Sequence, residues 1–384
     1  ATVAALRAAG IGTILDIVLN HSGESDLDGP TLSLRGLDDT AYARATDGNL
    51  INDAGTGNTL DFGQPAVRDL ALATLRHFVT QAGVDGFRFD LAPVIARGPG
   101  FDPAAPFLRA IADDPLLSRR VMIAEPWDIG PGGYQLGHFP PDWLEWNDRY
   151  RDDVRRFWRG DGGAGALATR LCGSADVFGD SRTRQIAFVA AHDGFTVADM
   201  MSHAGRHNEA NGEGNRDGHA SEIAWNNGAE GPTDDPAIAE KRRVDALALL
   251  GTLFATRGTV MLTAGDEFGR TQAGNNNAYA QDNELTWLDW DGRDRDLEAA
   301  VMALAATRAA CPAIGDPVLR HDARWFTLDG REMTDADWAE AAGFELRLPE
   351  VMVRVDRAAR RVSIVPQDMA GAGGAGSSGS GMNS

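Results

Sequence analysis

Three acidic residues stand where short apolar segments of the chain end. Asp90 and Glu125 each follow such a segment directly, and Asp193 is separated by one residue from another. A carboxylate can act as a nucleophile when it is ionised and as a general acid when it is protonated. Because neighbouring parallel strands end at the same edge of a sheet, the three side chains are predicted to share one site and to perform such chemistry.

Asp90 has a cationic neighbour on the same predicted strand. Arg88 lies two residues earlier, so both side chains project from one face of the strand. A guanidinium lowers the pKa of a nearby carboxyl group, and an attacking carboxylate has to be ionised. The alternative is that Asp90 only caps a helix that begins at Leu91. Arg88 and the matching acids elsewhere favour the catalytic interpretation.

Glu125 precedes Pro126, which disfavours a helix at position 125 and therefore a capping role. A carboxyl group at the end of a buried strand is partly desolvated, which raises its pKa and suits a general acid. A structural glutamate in a salt bridge is the alternative.

Asp193 follows His192 and precedes a helix predicted over 195–201. Capping of that helix is the alternative to a catalytic role. His21, which follows Asn20, and His192 are candidate substrate-binding residues, although each could be a buried structural histidine.

Several apolar segments have the length of strands that are buried on both faces. They span residues 13–19, 84–89, 121–124, 186–191 and 259–264, with a weaker candidate at 175–178. Helical periodicity between them, at 66–81 and 241–256, indicates a parallel α/β fold. A (β/α)8 TIM barrel fits best, because such a barrel gathers active-site residues from the C-terminal ends of several strands.

About six strands are two short of a closed barrel. Residues 1–10 have the pattern of the end of a helix, so the first two strands are expected to precede residue 1. Because an open barrel exposes unpaired strand edges, we expect the chain by itself to be poorly stable or inactive.

The domain boundaries follow from changes of pattern. Residues 1–310 are assigned to a partial catalytic barrel, and 311–369 to part of a small C-terminal β domain. In that domain, 351–355 and 361–365 alternate like the strands of a hairpin. Residues 370–384 are rich in Gly and Ser and are predicted to be disordered.

Composition excludes several classes of function. The 384 residues carry 36 basic and 56 acidic side chains, and a formal net charge of −20 argues against a nucleic-acid partner. No segment approaches the roughly 18 apolar residues of a membrane span. Cys172 and Cys311 are far apart, which favours a reducing, cytoplasmic location. No metal-ligand spacing or phosphate-binding Gly-rich loop is evident, so neither a metal nor a cofactor is predicted.

Two acids on neighbouring strands suit the cleavage of a glycosidic bond. Retaining glycosidases hold their two carboxyl groups about 5–5.5 Å apart, whereas inverting enzymes need about 6.5–9.5 Å. Adjacent strands lie about 4.7–4.9 Å apart, so Asp90 and Glu125 favour retention. The segment 127–158 is rich in aromatic residues, including Trp127, and such rings suit the apolar faces of sugars. Ordinary core packing is the alternative for this cluster.

Longer motifs resemble a known family. The segments DIVLNH (16–21), GFRFD (86–90), IAEPW (123–127) and AAHDGF (190–195) are similar to the four characteristic segments of the α-amylase family of retaining glycoside hydrolases. The chain also resembles the isoamylase-type debranching branch of this family, in the stretches 19–38, 124–152, 207–218 and 274–290.

The resemblance implies a role for each matched residue. Asp90 would be the nucleophile, Glu125 the general acid/base, and Asp193 the acid that stabilises the oxocarbenium-like transition state. Residues around the sugar at the cleavage point would be Arg88, His21, His192 and Asn20. The implied reaction is hydrolysis of α-1,6 branch linkages in glycogen or limit dextrin without an organic cofactor. Many amylases bind calcium, but no local signature indicates it here.

Two other functions remain open at this point. An α-1,4-acting or trehalose-releasing enzyme could use the same acids, because specificity resides in the loops between strands. A non-catalytic glucan-binding fragment is the second alternative. The presence of all three acids disfavours such a role for the intact protein, whereas the chain by itself could bind a glucan without turnover.

Overall fold

The computed structural model describes residues 1–98 and 100–367, so the tail predicted at 370–384 lies outside the described residues. The chain divides into two compact units. The first comprises Ala1–Asn147 and Arg184–Ile186, and the second comprises Asp148–Thr183 and Ala187–Ser384.

The strands form two sheets. A six-stranded sheet has the order β1-β2-β3-β4-β5-β6, and its pairings from β1 to β5 are parallel. These strands are β1 Ile14–Ile17, β2 Gly86–Phe89, β3 Val121–Ala124, β4 Leu144–Trp146, β5 Gln185–Ala187 and β6 Thr259–Val260. A four-stranded antiparallel sheet has the order β10-β9-β8-β7. Its strands are β7 Arg324–Phe326, β8 Gly343–Arg347, β9 Val351–Asp356 and β10 Arg361–Pro366.

The described residues contain α-helices of very different lengths. The longer ones are α1 Thr2–Ala8, α2 Pro65–His77, α3 Pro106–Asp113, α4 Asp148–Arg159, α5 Ala164–Leu171, α8 Pro236–Phe254 and α9 Arg295–Ala310. Single-turn helices are α6 Ala175–Phe178, α7 Val197–Met200, α10 Pro312–Gly315 and α11 Asp337–Glu340. None of them is long and apolar enough to cross a membrane.

In the first unit, alternation along β2 separates the core from the candidate site. Phe87 and Phe89 are fully buried and belong to an apolar cluster that includes Leu75 of α2. Arg88, between them, therefore projects from the other face of the strand. Gly86 permits close pairing of β2 with β3, because a Cβ at this position would lie 2.3 Å from the carbonyl oxygen of Val121.

In the second unit, helices α4, α5 and α8 share an apolar cluster with the antiparallel sheet. Two large side chains of α4 are fully buried and find polar partners on α8. Trp158 donates from Nε1 to the Thr252 hydroxyl at 2.9 Å, and the Tyr150 hydroxyl lies 2.6 Å from that of Thr256. These bonds satisfy the polar atoms that accompany the buried rings.

The predicted helices at 66–81 and 241–256 are present as α2 and α8, and the predicted hairpin is present as β9 and β10. The weaker strand at 175–178 was wrong, because these residues form α6. Apolar segments this short do not distinguish a strand from a helical turn.

Two predicted strands are shorter in the structure and one strand was missed. The predicted strand 259–264 is a strand only at Thr259–Val260. The predicted strand 186–191 is β5, which ends at Ala187, so His192 does not directly follow a strand. The strand β4 was missed, because its three residues lie within an aromatic-rich segment that shows no strand periodicity.

Helix α2 provides a matched test of the core of the first unit. Leu75 is fully buried, whereas Leu70 on the same helix is 50% exposed. Replacing Leu75 by Ala should lower the free energy of unfolding by about 2–5 kcal/mol, because it removes buried methyl groups and leaves a cavity. Urea denaturation followed by circular dichroism measures the change. Leu70→Ala is the control and should cost much less; equal losses would contradict this packing.

Candidate active site

One guanidinium lies among three carboxylates in the first unit. Arg88 of β2 is only 5% exposed, and its Nη1 donates to Asp16 at 2.8 Å and to Asp90 at 3.0 Å. Its Nη2 lies 2.8 Å from Oε2 of Glu125. The structure therefore brings together the predicted pair Asp90 and Glu125, and adds Asp16, which the sequence analysis did not single out.

Strand register explains this convergence. Asp16 pairs with Arg88 across β1 and β2, and Phe89 pairs with Ala124 across β2 and β3. Asp90 and Glu125 are the next residues on their strands, so they leave the sheet side by side. The sequence signal that could have identified Asp16 was its position on β1, the strand next to that of Arg88.

Arg88 is held as a permanent cation. Burial lowers its pKa, but Glu125, Asp16 and Asp90 together raise that pKa above the ordinary value of an arginine. The guanidinium also lies over the ring of Trp146, with 4.2 Å between its central carbon and the ring centroid. It is thus fixed from several sides and can hold both acids in place.

Asp90 is bound by side chains rather than used as a helix cap. The amide of Asn20 donates to the side-chain oxygen Oδ2 and to the carbonyl oxygen of Asp90, both at 2.8 Å. Asn20 is fully buried, and its Oδ1 contacts Nδ1 of His21. The 3₁₀ segment Ala92–Ala96 is preceded by Leu91 without any side-chain cap, so the capping alternative was wrong.

His21 joins this cluster through Asn20. Burial lowers the pKa of His21, although the negative charge of Asp90 acts in the opposite direction. The imidazole is therefore biased toward its neutral form, in which one nitrogen donates and the other accepts a hydrogen bond.

Glu125 is buried, and both its side chain and its main chain are held. Its Oε2 accepts a hydrogen bond of 2.8 Å from the backbone N–H of Leu91, and its carbonyl accepts one of 2.9 Å from Ala92. Leu91 has a left-handed backbone, with φ 40° and ψ 54°. Such a conformation costs a leucine about 1–3 kcal/mol, and here it directs an N–H at Glu125.

The remaining predicted acid lies in the second unit. Asp193 is largely exposed, and its Oδ2 is 3.5 Å from Nε2 of His192. Helix α7 is capped by Thr196, whose hydroxyl accepts from the N–H of Asp199, so Asp193 is not its cap. Asp193 instead lines a polar cavity of about 240 Å³ together with four arginines of α4, His219 and Glu222.

An asparagine network in the second unit supports the loop of Asp193. The backbone N–H of Gly194 donates to the carbonyl of Asn276 at 3.0 Å. Asn276 and Asn208 exchange two hydrogen bonds of 2.9 Å, from the Asn208 side-chain amide and from the Asn276 backbone N–H. Gly218 packs against this pair, because a Cβ there would lie 2.5 Å from Oδ1 of Asn276. The network joins the loops 207–218 and 274–290, whose Asn-rich composition was its only signal in the sequence.

Most of the predicted aromatic cluster is core. The buried rings are Phe139, Trp143, Trp146 and Trp158, in agreement with the alternative of ordinary core packing. Trp127, which directly follows the Glu125–Pro126 pair, is only partly buried, and Tyr134 is 44% exposed.

The sequence of this chain is similar to sequences of known proteins. The glycogen debranching enzyme of Serratia proteamaculans (strain 568) is 50% identical over 349 residues, which are 90% of this chain and 51% of that protein. A glycogen operon protein GlgX homolog of Mycobacterium tuberculosis (strain CDC 1551 / Oshkosh) is 44% identical over 364 residues, or 89% of this chain and 50% of the relative. Over about nine tenths of its length, this chain is similar to bacterial glycogen debranching enzymes. It spans about half the length of the curated relatives that it matches. No protein-family model matches it.

Solved structures share the fold. A pullulanase from Bacillus acidopullulyticus gives a TM-score of 0.69 at 19% identity, covering 92% of this chain and 41% of the pullulanase. A pullulanase from Paenibacillus barengoltzii, solved with maltohexaose and α-cyclodextrin, gives a TM-score of 0.69 at 20% identity, with 92% and 53% covered. The two sheets described above therefore belong to an architecture shared with pullulanases.

A buried acid next to β6 is predicted to make stability depend on pH. Burial raises the pKa of Asp266 to about 7, against a hydrogen bond from the backbone N–H of Val197. Its Oδ2 has no hydrogen-bond partner among the described residues. A raised folded-state pKa gives stability that is fully present below the unfolded-state pKa, near 4, and is lost as pH rises through about 7.

Asp266→Asn should therefore flatten the pH dependence of stability. We expect the wild type to lose on the order of a few kcal/mol more than the variant between pH 4 and pH 8. Urea midpoints across this range measure the difference. Asp291→Asn, at an exposed aspartate, is the control, and parallel curves for all three proteins would contradict the prediction.

Arg88 should matter far more for stability than an exposed arginine in a similar pair. Arg88→Met leaves the buried carboxylate of Glu125 and the partly buried carboxylate of Asp90 without their cation, and we expect a loss of about 3–5 kcal/mol in the free energy of unfolding at pH 7. Arg7 is the matched control, because its Nη2 also lies 2.8 Å from a carboxylate, that of Asp85, but the arginine is 54% exposed. Arg7→Met should have a small effect. Chemical denaturation of both variants distinguishes them, and similar losses would count against a central role for Arg88.

Proposed function

We propose that the protein to which this chain belongs hydrolyses α-1,6 branch linkages of glycogen or limit dextrin with retention of configuration. The observation that carries the proposal is the pairing of Asp90 and Glu125 on a single guanidinium, that of Arg88, at the ends of adjacent parallel strands. Adjacent strands lie about 4.7–4.9 Å apart and retaining glycosidases hold their two carboxyl groups about 5–5.5 Å apart, so acids at the ends of adjacent strands suit double displacement at one glycosidic bond. The identity to glycogen debranching enzymes supports the choice of substrate.

The two carboxyl groups have different surroundings, which supports different roles. We assign Asp90 as the nucleophile, because Arg88 and Asn20 both donate to its side chain and hold it at the end of β2. Glu125 is more buried, with 6% of its side chain exposed against 20% for Asp90. We assign it as the general acid, which protonates the leaving oxygen and then activates water as a base.

The other predicted site residues are proposed to bind the sugar of the substrate. From the motifs, Asp193 is proposed to bind sugar hydroxyl groups and to stabilise the positive charge of the transition state, and His192 and His21 are each proposed as substrate-binding residues. Partial exposure leaves the ring of Trp127 accessible to a glucan. These assignments rest on the motifs around the residues and on the local geometry of each unit.

The proposed architecture rests on the order and pairing of the strands. Six strands in sequence order fit part of a (β/α)8 barrel whose first two strands come earlier in the protein, with 1–310 as the catalytic part. The antiparallel sheet β7–β10 fits a small C-terminal β domain over 311–369. Cys172 and Cys311 are both free cysteines, which supports the proposal that the protein functions in the reducing cytoplasm.

Cleavage of α-1,4 linkages is the second candidate function. The acids alone do not separate it from debranching, because the loops select the linkage. A singly branched maltodextrin distinguishes the two, since debranching releases a linear chain whereas internal α-1,4 cleavage gives mixed fragments. Mixed fragments would overturn the proposed substrate.

The three acids are expected to be essential for turnover. In the protein at the full length of its relatives, Asp90→Asn, Glu125→Gln and Asp193→Asn should each reduce kcat by several orders of magnitude, because each removes a charge or a proton from the reaction. Reducing-end release from the branched substrate measures the rate. Asp291→Asn, which lies outside the site, is the control, and near-normal rates in the first two variants would show that the pair is misassigned.

A further inference from the structure

A second cluster of ligating side chains lies in the second unit, in the loops that follow helix α7. His203, His207 and Glu230 each present one ligand atom, and these atoms lie within 4.8 Å of one another. The sequence analysis found no metal-ligand spacing, because 23 residues separate Glu230 from His207 and no helix carries the two histidines. Folding brings the three together.

The distances match the edges of a tetrahedral site. Oε1 of Glu230 lies 3.0 Å from Nε2 of His207 and 3.6 Å from Nδ1 of His203. Ligand atoms bound at 2.0–2.1 Å around Zn²⁺ would be about 3.4 Å apart. Small shifts of these side chains would therefore allow all three to reach one ion.

His203 supplies an independent sign of a ligand. Its side chain is only 6% exposed, yet its Nδ1 makes no hydrogen bond with any described residue. The other ring nitrogen, Nε2, faces the buried carboxylate of Asp199 at 3.8 Å. A carboxylate behind one nitrogen favours a proton there and leaves the lone pair of the other nitrogen for a metal, as in many zinc sites. Gly274 makes room on this side, because a Cβ there would lie 2.7 Å from Nδ1.

Glu230 is oriented as a ligand by its surroundings. Its Oε2 accepts from the backbone N–H of Ala204 at 2.8 Å and from the amide of Asn226 at 3.0 Å, which directs Oε1 toward the histidines. Arg242 fixes the same loop by donating to the carbonyls of Gly231 and Asn226. The side chains of Glu230 and His207 are 40% and 43% exposed, so an ion can enter from solvent.

We propose that His203, His207 and Glu230 form a binding site for a divalent transition metal of the Zn²⁺ class, with water as the fourth ligand. Imidazole nitrogens and a carboxylate suit Zn²⁺, whereas Mg²⁺ prefers oxygen ligands. A bound ion would link the loop 203–207 to the loop 226–231, two segments that are otherwise joined here mainly by hydrogen bonds to Glu230.

The test uses the full chain after dialysis against a chelator. Titration calorimetry should show one equivalent of Zn²⁺ bound and none of Mg²⁺, and Zn²⁺ should raise Tm. His207→Ala and the isosteric Glu230→Gln should weaken Zn²⁺ binding at least about tenfold and remove the rise in Tm. His321→Ala, at an exposed histidine outside the cluster, is the control and should bind as the wild type does.

The proposal has clear contrary results. It fails if the wild type binds no stoichiometric Zn²⁺, if both cluster variants keep wild-type affinity, or if His321→Ala loses binding to the same extent. Circular dichroism without metal checks that each variant is folded, and Glu230→Gln decides if His207→Ala is not.

Discussion

The shared guanidinium of Arg88 is the interaction on which the candidate site depends. Two carboxylates this close would repel each other in a buried setting, and the cation between them makes the arrangement stable. The register of β1, β2 and β3 places the cation and all three acids, so a slip of one residue would turn these side chains to the opposite face. Chemistry and sheet pairing are therefore specified by the same residues.

The strain in the site has a local purpose. Leu91 adopts a left-handed backbone that a leucine disfavours, and its N–H reaches Glu125 as a result. The fully buried Phe89, just before the turn, anchors β2 in the core, so the fold can hold Leu91 in this conformation. The strand end is thus rigid where the two acids emerge, which is the property that a preorganised active site requires.

The sequence predicted the parts of this structure that short-range pattern determines. Apolar segments that end in acids located Asp90 and Glu125, and strict alternation located the hairpin β9–β10. Prediction from the sequence failed where a pattern is too short or where contacting residues are far apart in the chain. Residues 175–178 form a helical turn, and β4 has only three residues. The Asn208–Asn276 pair joins residues 68 positions apart, and no local periodicity marks such a contact.

The second unit shows why loop segments rich in asparagine can be ordered without a hydrophobic core of their own. An amide both donates and accepts, so Asn208 and Asn276 satisfy each other and leave atoms to bind further loop residues. The network also holds two acidic side chains, because the amides of Asn211 and Asn277 donate to Oδ2 of Asp217 at 2.7 and 2.9 Å and the amide of Asn276 donates to Glu222 at 3.1 Å. Since Gly194 is bonded to Asn276, the position of the Asp193 loop depends on these amides. Substitutions in the network would therefore act on the geometry of that loop without replacing Asp193 itself.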